Sequence, residues 1–214
     1  MKQNLIILDT ETGGYFPEKN PITEVGLVVL EPAKFKQLDT YQTYVKPYLD
    51  LTIEKDAILS TQMNISDLEA GKSFAKVAVE LSVLFKKYTL KGGNRATKPI
   101  LVGHNIPFDI KFLQYLFQHT IKKDLFDFID ESPIDTMRLA QLKEAGKPKS
   151  GETTKYNLMV CCERFGIKLK SAHGAMADVN ATSALLVALI GVLRQTGNQV
   201  NRTEEQKSRS FFQF

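Results

Sequence analysis

The first part of the chain alternates short apolar runs with segments that contain glycine and proline. Residues 4–9 (NLIILD) form an apolar run that ends in an acid, which is typical of a buried central strand. Residues 24–30 (EVGLVVL) and 40–45 (TYQTYV) are rich in β-branched and aromatic residues and predict two further strands. The short connections between these runs favour antiparallel neighbours.

Helical spacing dominates the rest of the chain. Apolar side chains recur three or four positions apart over residues 74–88 and predict an amphipathic helix. Residues 99–102 (PILV) predict a fourth strand, and Pro107 suits the first turn of the helix that follows it. The remaining predicted helices cover residues 134–142, 156–165 and 175–194.

This order of elements indicates a single α/β domain built on a mixed sheet and flanked by helices. The last helix is expected to stop at Gly197, because glycine often follows the end of a helix. We therefore predict one domain over residues 1–196. Residues 197–214 are mostly polar and charged before a phenylalanine-rich end, and we predict a flexible tail there.

Composition excludes several classes of protein. The 214 residues are 43% apolar and 24% charged, as in an ordinary globular chain. The longest uncharged apolar run has roughly 13 residues, against the roughly 20 that a bilayer requires, so we expect no membrane span. Cys161 and Cys162 are adjacent and cannot form a spaced metal site, which favours a reducing cytoplasm. The net charge of +4 permits a polyanionic partner without requiring one.

Acidic side chains follow two of the predicted buried strands. Asp9 and Glu11 are two positions apart, so both can project from the same face of the first strand, and Asp109 follows the fourth. Two carboxylates at 4 Å repel by about 4 kcal/mol at an effective dielectric constant of 20, and a divalent cation usually compensates such a pair. The alternative is that Asp9 and Glu11 are ordinary loop acids and that Asp109 complements a helix dipole.

A histidine and a further acid occur at the start of the last predicted helix. His173 lies in a segment of small residues, and Asp178 lies within the helix. Histidine is the side chain best suited to accept a proton from water near neutral pH. Taken singly, the two residues are more typical of a surface histidine and a solvated helix acid.

Three motifs occur in order along the chain: LDTETGG at residues 8–14, GHNIPFD at 103–109 and HGAMAD at 173–178. With these motifs the chain resembles the DnaQ-like (DEDDh) family of 3′→5′ exonucleases, which includes the proofreading epsilon subunit of bacterial DNA polymerase III and ribonuclease T. The last motif has the H-x4-D spacing of the histidine branch of that family. The resemblance implies a ribonuclease H-like fold with a central mixed sheet of five strands.

The resemblance also assigns roles to individual residues. The implied catalytic ligands of two divalent ions, Mg²⁺ or Mn²⁺, are Asp9, Glu11, Asp109 and Asp178, with His173 as the general base. The positions where the family contacts the terminal nucleotide are Thr10, Thr12, Asn105 and Phe108. We expect Asp135 to be structural rather than a ligand, and the role of His104, which also matches the family pattern, stays open.

The expected function is a metal-dependent 3′→5′ exonuclease of the cytoplasm. It would hydrolyse the terminal phosphodiester of single-stranded or frayed DNA, with proofreading on the catalytic subunit of a DNA polymerase as a candidate setting. The alternatives are an RNA-trimming exoribonuclease of the ribonuclease T type, a non-catalytic interaction domain carried by a polymerase, and a small-molecule phosphodiesterase.

Overall fold

The apolar run at the start of the chain forms the central strand of a mixed sheet. The computed structural model describes residues 2–48, 51–61, 64–92, 95–145, 155–168 and 174–207. Within these ranges the strands are β1 (Leu5–Thr12), β2 (Ile22–Leu30), β3 (Gln37–Tyr44), β4 (Ile100–Gly103) and β5 (Ile134–Asp135). They form one sheet of order β3-β2-β1-β4-β5, in which β4 runs parallel to β1 and β5, and β2 runs antiparallel to β1 and β3. The predicted mixed five-stranded sheet is confirmed.

Helices cover both faces of this sheet. In the described part of the chain they are α1 (Lys55–Thr61), α2 (Ile65–Glu69), α3 (Phe74–Lys87), α4 (Pro107–Thr120), α5 (Thr136–Lys143), α6 (Leu158–Arg164) and α7 (Ala175–Lys207). Short 3₁₀ turns lie at Arg95–Thr97 and Leu125–Asp127.

Both faces of β1 are buried over its first four residues, which explains why residues 5–8 are all apolar. Ile6 and Leu8 belong to the core on the side of α3 and α4, whereas Leu5 and Ile7 pack with residues of α7 on the other side. The first turn of α7 approaches β2 at Gly26, where an added Cβ would lie 2.8 Å from the Ala175 backbone. A glycine at this position therefore allows the beginning of α7 to lie against the sheet.

Two predicted helix boundaries are wrong. Residues 134 and 135 pair with β4 as a strand, and the Asp135 side chain accepts a hydrogen bond from Met137 N, so the helix begins only at Thr136. The second error concerns the last helix, because α7 does not stop at Gly197 but continues to Lys207. One glycine within a helix costs about 1 kcal/mol relative to alanine, which is too little by itself to end a helix. The predicted tail is thus helical up to Lys207, and residues 208–214 lie outside the described residues.

Among the described helices, one segment meets the length and hydropathy requirements of a membrane-spanning helix. It is Ala175–Gln195 of α7. The buried side chains of this segment, among them Val179 and Leu186, pack in the core beside β1, and α7 contacts both β1 and β2. One side of the segment therefore lies in the core of the described domain.

Candidate active site

Four carboxylates from three elements converge at the carboxyl ends of β1 and β4. Asp9 and Glu11 lie on β1, while Asp109 and Asp178 lie in the first turns of α4 and α7. Carboxylate oxygens of Asp9, Glu11 and Asp178 all lie within 4.8 Å of one another. Parallel β1 and β4 end at the same edge of the sheet, so the helix that follows β4 delivers its acid to the end of β1.

Asp109 is fixed to β1 by two hydrogen bonds. The Thr10 backbone N–H and the Thr10 hydroxyl both donate to Asp109 Oδ1, at 2.9 and 2.7 Å. Asp109 and Thr10 are only 4% and 6% exposed, so these bonds are shielded from water. Thr10 lies between Asp9 and Glu11 in the sequence, and the Thr10 side chain orients Asp109.

The acids raise one another's pKa, and burial is the larger cause. Burial raises the pKa of Glu11 to about 7, with repulsion from Asp178, Glu24 and Asp109 adding to the shift. Burial and the neighbouring acids raise the pKa of Asp9 well above its usual range. Burial also raises the pKa of Asp109 to about 7, although its hydrogen bonds from Thr10 oppose this.

This set of donors fits a hard divalent cation. It offers only carboxylate oxygens, the ligands that Mg²⁺ and Mn²⁺ prefer. None of the described lysine or arginine side chains forms an ion pair with Asp9, Glu11 or Asp109. Because nothing described neutralises these three acids, bound cations would relieve their repulsion.

We expect the stability of the metal-free protein to fall as the pH rises through the range in which these acids ionise. The ordinary pKa of glutamate is 4.5, whereas that of folded Glu11 is about 7. Between these values the unfolded chain releases a proton that the folded chain retains, so rising pH favours unfolding. Saturating Mn²⁺ should reverse the loss, because it binds the ionised folded form. Thermal unfolding in EDTA and in Mn²⁺ between about pH 5 and 8 measures both effects.

Glu11→Gln provides the control for this titration. The variant lacks one ionising group, so its midpoint in EDTA should depend less on pH than that of the unaltered chain. The proposed acidic metal site would be contradicted if the thermal midpoint in EDTA changed equally with pH in both proteins and Mn²⁺ raised neither midpoint.

A fifth acid beside the cluster, Glu24 on β2, is buried and was missed in the sequence. It is 5% exposed and lies directly opposite Glu11 in the β1–β2 pairing. Its Oε2 accepts a hydrogen bond from Ala175 N at 3.2 Å, and its Oε1 accepts one from Gln42 Nε2 at 2.7 Å. Glu24 therefore holds the beginning of α7, three residues before Asp178. An acid at the start of an otherwise apolar strand was the available signal.

We expect Glu24→Ala to weaken Mn²⁺ binding by about 10–100-fold, the usual effect of removing a group that orients a metal ligand. The substitution leaves Ala175 N without its acceptor and frees the first turn of α7. Glu24→Gln retains an acceptor oxygen and should restore most of the affinity. Calorimetric titration of both variants compares them, and equal affinity in Glu24→Ala and the unaltered chain would show that Glu24 does not position the site.

His104 and Asp135 stabilise the turn that leads from β4 into α4. His104 Nε2 lies 2.7 Å from the Tyr156 carbonyl oxygen, to which it donates, and Nδ1 lies 2.9 Å from Thr136 Oγ1. Burial lowers the pKa of His104. Asp135 Oδ1 accepts hydrogen bonds from the backbone N–H of Asn105 and of Met137, both at 2.9 Å. These contacts give both residues a structural role and support the expectation for Asp135.

A cavity of about 260 Å³ lies beside the acidic cluster, of which Glu11 is a lining residue. Three of the predicted nucleotide-contacting residues line it: Thr10, Thr12 and Phe108. Within the protein, the Thr12 hydroxyl donates to the Gly14 carbonyl oxygen at 2.7 Å. The fourth, Asn105, lies in the adjoining turn with a φ of 65° and is not among the lining residues, so its contact stays a prediction. Tyr15 also lines the cavity and was not predicted.

The predicted base, His173, lies outside the described residues. The structure resumes one residue later, and Asp178 follows in the first turn of α7. The role of His173 therefore rests on the sequence motif and stays a prediction.

The chain matches a known protein family over most of its length. The model of the RNase_T family, described as an exonuclease, matches residues 6–186. The chain belongs to the RNase_T exonuclease family. This membership confirms the DnaQ-like resemblance and the class of enzyme, a 3′→5′ exonuclease. The matched range includes all three sequence motifs and all four acids.

Individual relatives agree with this family. The chain is 27% identical over 204 residues to the DNA polymerase III subunit epsilon of Rickettsia prowazekii (strain Madrid E), covering 94% of this chain and 80% of the relative. It is 26% identical over 213 residues to ribonuclease T of Buchnera aphidicola subsp. Schizaphis graminum (strain Sg). That alignment covers 96% of this chain and 91% of the relative.

A solved structure shows the same fold. E. coli exonuclease I in complex with a dT13 oligonucleotide superposes with a TM-score of 0.74 at 21% identity, over 94% of this chain. This chain spans only 44% of the exonuclease I chain. The likeness confirms the ribonuclease H-like architecture that the motifs implied.

Proposed function

We propose that this exonuclease removes single nucleotides from the 3′ end of single-stranded or frayed DNA by two-metal-ion catalysis. The observation that carries the proposal is the convergence of four carboxylates beside a cavity with an aromatic wall. A phosphodiester is anionic and resists attack by hydroxide, so its hydrolysis requires charge neutralisation and an activated nucleophile. The site supports both requirements.

Asp9, Glu11, Asp109 and Asp178 are the proposed ligands of two Mg²⁺ or Mn²⁺ ions. When bound, such ions lower the pKa of a water molecule and stabilise the departing 3′ oxygen. The Thr10 hydrogen bonds hold Asp109 in the orientation that ligation requires. The raised pKa of Glu11 means that ion binding displaces a proton at neutral pH, so affinity should increase as the pH rises.

Two further residues complete the proposed chemistry. His173 accepts the proton of the attacking water as the general base. Phe108 lies on the cavity wall and packs against Phe112 with ring centroids 4.9 Å apart, which holds its ring for stacking on a base. The cavity volume of about 260 Å³ is near the lower limit of roughly 300 Å³ for ligand pockets and suits one nucleotide rather than a base pair.

The relatives support two settings for this activity. The similarity to a DNA polymerase III subunit epsilon favours a DNA substrate and a polymerase catalytic subunit as a partner in the cytoplasm. The similarity to ribonuclease T supports the second candidate, trimming of RNA 3′ ends. The intact acidic cluster argues against a purely non-catalytic domain, since a binding module does not need mutually repelling acids. We assign the activity to a domain of residues 1–196, with residues 197–214 as an appendage.

Parallel digestion of 5′-labelled single-stranded DNA, mismatched duplex DNA and RNA tests this proposal. We expect stepwise shortening from the 3′ end with Mg²⁺ or Mn²⁺, no cleavage in EDTA, and faster cleavage of single-stranded DNA than of RNA. Faster cleavage of RNA would favour the ribonuclease T-like function. Absence of metal-dependent cleavage of all three substrates would overturn the proposal.

A further inference from the structure

Gln42 lies on the outer strand of the sheet, but its side chain reaches a buried acid. The residue is exposed and belongs to β3, the strand at the edge of the sheet. Its Nε2 donates a hydrogen bond to Glu24 Oε1 at 2.7 Å. Glu24 is only 5% exposed, so a side chain at the surface supports a carboxylate that is shielded from water.

The same carboxylate holds the first turn of α7. Gln42 is paired with Gly26 of β2, and directly opposite residues of two strands face the same side of a sheet. An added Cβ at Gly26 would lie 2.9 Å from Met176 N, so the first turn of α7 occupies the space beside Gln42. The Ala175 N–H donates to Glu24 Oε2 at 3.2 Å. Glu24 therefore joins the edge strand to the beginning of α7, with one oxygen directed to each.

Glu24 depends on these hydrogen bonds because no cation compensates its charge in the described part of the chain. None of the described lysine or arginine side chains forms an ion pair with it. A buried charge without a partner is costly, and a hydrogen bond to a charged acceptor is roughly twice as strong as one between neutral groups. Loss of the Gln42 amide would leave Oε1 buried without this donor and would free the carboxylate to rotate.

Rotation of Glu24 would disturb the acidic cluster in two ways. Glu24 lies directly opposite Glu11 in the β1–β2 pairing, so a released carboxylate could turn towards ions bound by Glu11. Rotation would also release the Ala175 N–H and with it the first turn of α7. That turn carries Asp178, three residues after Ala175.

We infer that Gln42 is a positioning residue of this exonuclease, whose amide holds Glu24 against the first turn of α7 and away from the ions of the acidic cluster. The inference rests on the proposed function, because that function assigns the ions to the cluster. The effect of Gln42 on catalysis passes through Glu24. It should therefore disappear when Glu24 is removed.

Hydrogen exchange in the metal-free protein tests the contact itself. The Ala175 amide is followed by NMR in EDTA, in the unaltered chain, Gln42→Leu and Gln42→Lys. Leucine removes the donor, so we expect the Ala175 amide to exchange about tenfold faster, the equivalent of one net hydrogen bond. Lysine retains a donor of similar reach and should keep the exchange rate within about twofold. Thr40→Val, at an exposed position on the same face of β3, is the matched control and should leave the rate unchanged.

A kinetic cycle with Glu24 tests the role of Gln42 in catalysis. Gln42→Leu should lower kcat on single-stranded DNA by about tenfold, the lower end of the usual effect of removing a group that orients a metal ligand, and should change KM by less than about twofold. In the Glu24→Ala background the same substitution should change kcat by less than about twofold. Thr40→Val should leave kcat unchanged in both backgrounds.

Either measurement can overturn the inference. An Ala175 exchange rate in Gln42→Leu equal to that of the unaltered chain would show that Gln42 does not hold the first turn of α7. A kcat that falls equally with and without Glu24 would show that Gln42 does not act through Glu24. Absence of 3′ cleavage by the unaltered chain would instead identify a failure of the proposed function, and the exchange rates in EDTA would still decide whether the contact exists.

Discussion

Replacing Asp178 with asparagine should lower kcat on single-stranded DNA by about 10³-fold or more, the equivalent of about 4 kcal/mol of transition-state stabilisation. Asparagine keeps the size of the side chain but removes the charge. In the structure the Asp178 carboxylate lies within 4.8 Å of those of Asp9 and Glu11, so it is placed to share their cation. Rates at saturating Mg²⁺ and Mn²⁺ measure the effect.

The fold should survive this change. Asparagine keeps the shape of the side chain and removes one of several repelling charges, so Asp178→Asn should still unfold cooperatively in EDTA, with a thermal midpoint close to that of the unaltered chain. Glu163→Gln, at an exposed position of α6, removes the same charge away from the site and should keep full activity. Near-normal turnover by folded Asp178→Asn would remove Asp178 from the metal site.

Replacing His173 with alanine should lower kcat by about 10²–10⁴-fold, the usual contribution of a general base. A base acts in its neutral form, so the rate of the unaltered enzyme should rise with pH through the pKa of His173, ordinarily near 6.5. The variant should lose this rise. Initial rates between about pH 5.5 and 8.5, in saturating Mn²⁺, measure the loss.

Measurements of metal binding and of rescue by imidazole distinguish the role of His173, the proposed base, from that of the proposed metal ligands. His173→Ala should bind Mn²⁺ as the unaltered chain does, and added imidazole should restore part of its rate. Imidazole should not restore Asp178→Asn, whose defect is a missing carboxylate. An unchanged pH profile in His173→Ala would exclude the residue as the base.

The central strand, the helix α3 and the acids of the site could be predicted, because burial and motif spacing leave a clear pattern in the sequence at these places. The first half of β1 is buried on both faces, so residues 5–8 are all apolar, and the second half of the strand carries Asp9 and Glu11 into the site. α3 has a regular apolar stripe facing the core. Family membership confirms the motif resemblance from which the roles of Asp109 and Asp178 were taken.

Features that depend on distant contacts could not be predicted. β5 has two residues, too few for a periodic pattern, and exists because it pairs with β4. Glu24 gains its role only through its contact with Ala175, which is 151 residues away in sequence. The conformation of the loop between β1 and β2 depends in the same way on Asn20, whose side-chain amide donates to the carbonyl oxygen of Thr52, 32 residues further along the chain.

Calorimetric titration of divalent ions tests most directly whether the four acids form one metal site. The titration uses Mn²⁺ with a saturating nucleoside monophosphate, on the unaltered chain and on Asp109→Asn. We predict binding of two ions per chain near neutral pH, release of protons as the acids ionise, and loss of at least one ion in Asp109→Asn. Absence of Mn²⁺ uptake by the unaltered chain, or identical uptake by both proteins, would contradict the proposed two-metal site.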